Sequence, residues 1–161
     1  MPNWCKGTLK IRGSKENILN FLKNELKCID ILGNDLGQPK IEFNEDYEEI
    51  TVTSPDEKEY AYWIQGTRRN FIEEFTGGYV WEIDNDKRLF VCDNFKAAWG
   101  IQPEPYVELS QKYNLDFRIY GFECGMCFNQ DIEILNGKIT INETIKYDDY
   151  NWECPFPNLG G

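Results

Sequence analysis

Cys124-Gly125-Met126-Cys127 is the one Cys-x-x-Cys spacing in this chain of 161 residues, and Arg68-Arg69 is its one step of adjacent guanidiniums. Two thiols three residues apart can share a metal ion or form a redox pair. A redox pair of the thioredoxin kind needs a helix N-terminus behind it, and a zinc ribbon needs a second such pair elsewhere. Here the pair falls between two strand-like stretches and no second pair exists. Structural thiols are therefore expected, and no metal or cofactor is assigned, although Cys124 and Cys127 keep a ligand spacing. Arg68-Arg69 follows Gly66-Thr67, so two guanidiniums beside a turn could clamp a phosphate or a carboxylate. The simpler expectation is that they pair with Glu73, Glu74 or the acidic segment before them.

That acidic segment is the other candidate. Residues 42–59 hold eight carboxylates and one lysine, threaded with Phe43, Tyr47, Ile50 and Val52. Such a face can imitate a phosphate track, or simply protect a sheet edge with charge. Glu45, Asp46, Tyr47, Glu48 and Glu49, together with Arg68 and Arg69, are the expected interaction surface. The adjacent carboxylates Glu48-Glu49, Glu73-Glu74 and Asp148-Asp149 could in principle bind Mg²⁺ or run acid–base chemistry. In a chain with 28 acidic against 17 basic residues, net −11, a solvated face is the expected role. There is no histidine. Ser-His-Asp and Cys-His catalysis and His-ligated zinc are thereby excluded, and no catalytic residue is assigned. No GxGxxG, Walker A or EF-hand loop occurs.

The elements that must position these residues follow from periodicity. Residues 4–12 alternate, with Cys5, Gly7, Leu9 and Ile11 on one face and Trp4, Lys6, Thr8, Lys10 and Arg12 on the other, which predicts a half-buried strand. Ser14 caps a helix carrying Ile18, Leu19, Leu22, Leu26 and Ile29 to about Lys27. Gly33, Gly37 and Pro39 make a loop. IEF and EITVT, residue 60 to Gly66, YVWEI and Leu89–Ala98 read as strands, with Leu89, Val91 and Phe95 on one face of the last. GTRRNFIEEF fits strand or short helix. Turns are expected at Gly77-Gly78 and in DNDK, and Pro55 with DEKE ends the EITVT strand. Pro103 and Pro105 open a helix over Tyr106, Val107, Leu109 and Tyr113 that ends at Asn114. A strand follows from Leu115, and DIEIL-NG-KITI is a type I′ hairpin. The aromatic tail is expected to pack over an edge or face without forming an element.

With the insertion at about 30–58 set aside, the order is β-α-β-β-α-β. That predicts an α+β fold: a ferredoxin-like split βαβ sandwich, its antiparallel sheet carrying two helices on one face, plus a C-terminal hairpin and the acidic insertion, in one domain over 1–161. The segments MPNWCKGTLKIRG, WIQGTRRNF, FKAAWGI, LSQKYNLDFRIYGFECGMCFN and YDDYNWECPFPNLGG together resemble the YubB-type ferredoxin-like proteins of bacterial phages and plasmids. The resemblance covers most of the chain and implies a ferredoxin-like topology and a mobile-element origin, with no catalytic residues and no cluster.

MPNWCKGTLKIRG lacks the apolar run of a secretory signal, and no stretch approaches the roughly 20 apolar residues that span a bilayer, so a cytoplasmic chain with reduced thiols is expected. The net charge opposes phosphate backbones and anionic lipids, which disfavours direct nucleic-acid and membrane partners and favours a basic protein. The expected function is a non-enzymatic mobile-element accessory that acts by protein–protein binding, in its sharpest form an acidic inhibitor of a basic host or defence nuclease. The alternative is a small ligand- or metal-binding domain or enzyme that uses the Arg68-Arg69 region or the Cys124/Cys127 pair.

Overall fold

A computed structural model describes residues 2–30, 32–55, 60–74, 78–84 and 88–161, and for residues 60, 74 and 78–84 the backbone alone. The strands are β1 (Trp4–Arg12), β2 (Leu26–Ile29), β3 (Asp35–Gly37), β4 (Lys40–Asn44), β5 (Glu49–Thr53), β6 (Tyr60–Ile64), β7 (Asn70–Glu74), β8 (Gly78–Asp84), β9 (Leu89–Ala98), β10 (Asp116–Glu123), β11 (Phe128–Leu135) and β12 (Lys138–Lys146). The helices are α1 (Lys15–Glu25), α2 (Glu104–Tyr113) and the single turn α3 (Tyr150–Glu153). Of the expected turns, Gly77 and residues 85–87 lie outside the described residues, as does the stretch 56–59 after Pro55, while Gly78 and Asp84 are the ends of β8.

The ferredoxin-like sandwich is not what these elements build. Nine strands pair antiparallel in the order β12-β11-β10-β1-β9-β7-β6-β2-β3, and β4-β5-β8 branches off through β8 and β9. Two pairings account for the difference. GTRRNFIEEF resolves into a turn and a strand, β7, which lies between β9 and β6. The acidic insertion is no appendage either, because β3 extends one end of the sheet while β4 and β5 join it through β8. Along β9 the second edge is shared, with Asn70–Ile72 of β7 opposite Phe95–Ala97 and Ile83-Asp84 of β8 opposite Leu89-Phe90. The sheet therefore forks at β9.

Smaller corrections have local causes. Helix α1 stops at Glu25, since Leu26 is already extended and pairs with Ile64, so Leu26 and Ile29 belong to β2. Leu89, Val91 and Phe95 do not share a face. Gly7 and Leu9 of β1 face Phe95 and Cys92, a bulge that adds one residue to β9 and turns Phe90, Cys92 and Phe95 inward while Val91 stays exposed. The tail does form an element: Asp149 caps α3 by accepting from the Trp152 amide.

One face of the sheet holds the core. Cys5, Leu9 and Ile11 of β1 are fully buried beside Ile18, Phe21 and Leu22 of α1 and Tyr106 of α2, and Phe117 takes the edges of both Phe21 and Tyr106. The branch adds Ile41, Ile50 and Val52 to the same core. At the expected hairpin, Asn136 and Gly137 both take positive φ (50° and 69°), as a type I′ turn requires. On the opposite face of β1, Lys10 and Arg12 are exposed and Trp4, Lys6 and Thr8 half-buried, while the tail lies over the β10–β11 side of that face, packing Tyr150 and Cys154 against Phe122 and donating the Gly161 amide to the Trp4 carbonyl. Among the described residues no helix is long and apolar enough to cross a membrane.

Candidate functional site

Arg68 and Arg69 sit in the turn between β6 and β7, and nearly every polar group of that turn is in use. Buried Thr67 donates its hydroxyl to the Ile64 carbonyl at 2.5 Å and accepts from the Asn70 amide at 3.4 Å. The Trp63 indole donates to the Thr67 carbonyl, and the Ala98 amide at the end of β9 donates to the Arg69 carbonyl. Arg69 takes a left-handed φ of 53° to make that contact. The turn is thus fixed from both flanking strands and from β9, and both guanidiniums are left exposed.

Those guanidiniums do not pair with Glu73, one of the partners expected from sequence; the Glu74 side chain and residues 56–59 of the acidic segment lie outside the described residues. Glu73 is bonded to Lys96, with Lys6 at 3.9 Å. Among the described residues no carboxylate forms an ion pair with Arg68 or Arg69. They lie instead on indole rings: Arg68 is 5.1 Å from the centre of Trp99, and Arg69 is 5.6 Å from both Trp99 and Trp4. Lys96 sits 4.5 Å from the Trp4 ring, which meets Phe71 edge-on. Trp99 is half exposed and takes a φ of 59°, its amide donating to the Asn3 carbonyl at 2.8 Å. A bulky residue in left-handed conformation is rare and persists only where its surroundings impose it. Four cations, Lys6, Arg68, Arg69 and Lys96, thus meet one described carboxylate, Glu73, beside two tryptophans, on a chain of net charge −11.

The acidic candidates lie elsewhere. Glu45, Asp46, Tyr47 and Glu48 form the tip of the β4–β5 hairpin, and Glu49 opens β5 opposite Asn44. Asp46 donates its amide to Asn44 Oδ1, Glu45 pairs with Lys15 at 2.7 Å, and Tyr47 is 71% exposed. Lys15 opens α1 just past the Arg12 end of β1, whereas Trp4 is the first residue of β1, so the tip and the arginine turn stand toward opposite ends of a nine-residue strand roughly 27 Å long. The residues expected to form one surface are two separate regions.

The Cys-x-x-Cys pair is a tight turn between β10 and β11, with no helix after it. Fully buried Glu123 holds it, accepting from the amides of Gly125 (3.1 Å) and Met126 (2.5 Å). Behind it, burial and the Glu123 charge push the Cys5 thiol up to about 12. Among the described residues no group of three or more Cys, Asp or Glu is placed to hold a metal ion.

Trp4, Trp99, Lys6 and Lys96 were not singled out from sequence. The alternation of β1 already put Trp4 and Lys6 on its outward face, but Trp99 and Lys96 arrive through the β1–β9 register, which sequence periodicity does not disclose. No protein-family model, curated protein or solved structure matches the chain.

Proposed function

We propose that the chain is a binding protein whose contact surface is the cation–aromatic end formed by Arg68, Arg69, Lys96, Trp4 and Trp99, and that its ligand is an anion bearing a planar ring, the chemistry of a nucleotide. The observation that carries this reading is the pair of guanidiniums without a described carboxylate partner, held over indoles by an immobilised turn. Arginine forks match phosphate oxygens in a bidentate manner, and a half-exposed indole offers a stacking surface for a base. With its turn bonded on both sides, the site loses little further freedom on binding.

Titration with adenosine monophosphate, followed by tryptophan fluorescence, tests this. The expected result is a saturable change that weakens at least about tenfold in Arg68→Ala/Arg69→Ala, the loss of about one charge-assisted contact. An equal response in the double variant, or none in the wild type, refutes the reading.

A second reading rests on Tyr47, which stands 71% exposed among carboxylates at the hairpin tip. An aromatic ringed by acidic groups suits a basic protein surface, as in a mobile-element accessory that inhibits a basic nuclease. A partner pulled down at low salt should be lost at high salt and with Glu45→Gln/Asp46→Asn/Glu48→Gln/Glu49→Gln; retention by that variant removes this reading.

A further inference from the structure

The outward face of β1 carries three cations in line below Trp4, namely Lys6, Lys10 and Arg12. Their cross-strand partners do not neutralise them in the usual way. Lys6 stands directly opposite Lys96 of β9, and Lys10 directly opposite Arg118 of β10. Like charges facing each other across strands are destabilising, and here two such pairs flank one central strand. Carboxylates relieve part of this: Glu73 serves Lys96 and Lys6, Asp116 lies 3.2 Å from Arg12, and Asp131 and Glu133 lie 2.8 and 3.6 Å from Arg118. Lys10 has no ion-pair partner among the described residues, and Arg118 Nη1 is buried without a hydrogen bond. At this lower end the strands frame a cavity of about 360 Å³ lined by Lys10, Arg12, Arg118, Asp116, Glu133 and Leu89 among others.

We infer that the open face of β1 is a track for single-stranded nucleic acid, running from the Trp4/Trp99/Arg68/Arg69 end to the Lys10/Arg12/Arg118 cavity. This rests on the nucleotide reading above and extends it. The stripe supplies cations for successive phosphates over roughly 27 Å, enough for about four nucleotides, the short end of known single-strand sites. The upper end supplies indoles for stacking. The lower cavity offers the Lys10 ammonium and the Arg12 guanidinium to a phosphate, since the carboxylates beside them are engaged within the fold, Asp116 by Arg12 and the Asn136 amide and Glu133 by Arg118 and Thr140. The tail, packed over Phe122, borders the track on the β10–β11 side and reaches β1 at its upper end, where the Gly161 amide donates to the Trp4 carbonyl at 2.8 Å; Lys10 and Arg12 below it are exposed. The carboxylates beside this stripe, Glu73, Asp93, Asp116, Asp131 and Glu133, are each engaged by a neighbouring side chain, and the densest acidic run, the β4–β5 hairpin, lies away from it.

Fluorescence anisotropy with labelled oligothymidylates of two and eight residues is the test. The octamer should bind at least about tenfold more tightly than the dimer and lose affinity with rising salt. Lys10→Gln and Lys10→Glu, which break no ion pair among the described residues, should remove most of that gain and leave dimer binding intact. If the octamer binds no better than the dimer, or if polyglutamate of matched charge competes equally well, the track is refuted while the nucleotide site stands. If neither oligomer binds, both are refuted.

Discussion

At one end of β1 two guanidiniums rest on two indoles, fixed by a turn bonded to β6, β7 and β9; at the other, a hairpin tip carries Glu45, Asp46, Glu48 and a tyrosine into solvent with a single ion pair among the described residues. The tip is the more conspicuous region in the sequence, because its charge is contiguous. The arginine end has less charge but more constraint. Its cations are oriented before any ligand arrives, whereas each exposed glutamate of the tip would lose side-chain freedom on binding. The density of charge along a chain therefore says less about a site than the number of bonds that hold each charge in place.

Four perturbations separate the two regions, the largest first. Alkaline pH should weaken the end built on Cys5. Its folded-state pKa, raised to about 12 from 9.0, means its contribution is complete below pH 9 and is lost as pH climbs toward 12. Fully buried Tyr106, pushed above its ordinary value by burial despite the hydrogen bond from Asn70, acts in the same direction above pH 10. The unfolding free energy from denaturant titration should fall across pH 9–12 by an amount on the order of 3 kcal/mol, and Cys5→Ala should flatten the first part of that fall. A midpoint independent of pH would contradict the burial of these groups.

Trp4→Ala should cost about 2 kcal/mol, since the half-buried ring packs on Phe71, Lys96 and Arg69. A loss below about 0.5 kcal/mol by urea unfolding would make the cluster a surface accident. Arg68→Ala/Arg69→Ala should cost about 1 kcal/mol in stability while greatly weakening ligand binding, because exposed cation–π contacts are individually weak. Neutralising Glu45, Asp46, Glu48 and Glu49 together should change stability by less than about 0.5 kcal/mol, as the one ion pair there is solvent-exposed. A larger change would show the tip to be part of the folded framework.

Local signals in the sequence located many elements but not their partners. The alternation of β1, the Ser14 cap of α1 and the Asn136-Gly137 hairpin all rest on neighbours in the chain, and each is present as expected. What periodicity lacks is register. Residues 70–74 alternate too briefly to reveal that β7 lies between β9 and β6, and that placement, with β8 on the same edge of β9, gives a forked sheet in place of a four-stranded sandwich. The site was half visible for the same reason. Arg68 and Arg69 stood out as a pair, but Glu73, one of the three partners expected for them, is taken by Lys96, directly opposite Phe71 across β7 and β9. Trp99 lies 30 residues beyond Arg69, and the bond from the Ala98 amide to the Arg69 carbonyl brings them together.

The central claim is that the ligand meets the Trp4/Trp99 end and not the hairpin tip. The five tryptophan indole N–H signals, followed by two-dimensional NMR during titration with adenosine monophosphate, decide it directly. The account predicts that Trp4 and Trp99 shift most, with a smaller response at Trp63, whose indole bonds the same turn, and none at Trp152. Shifts confined to backbone amides around Tyr47, with the indoles unmoved, would contradict it.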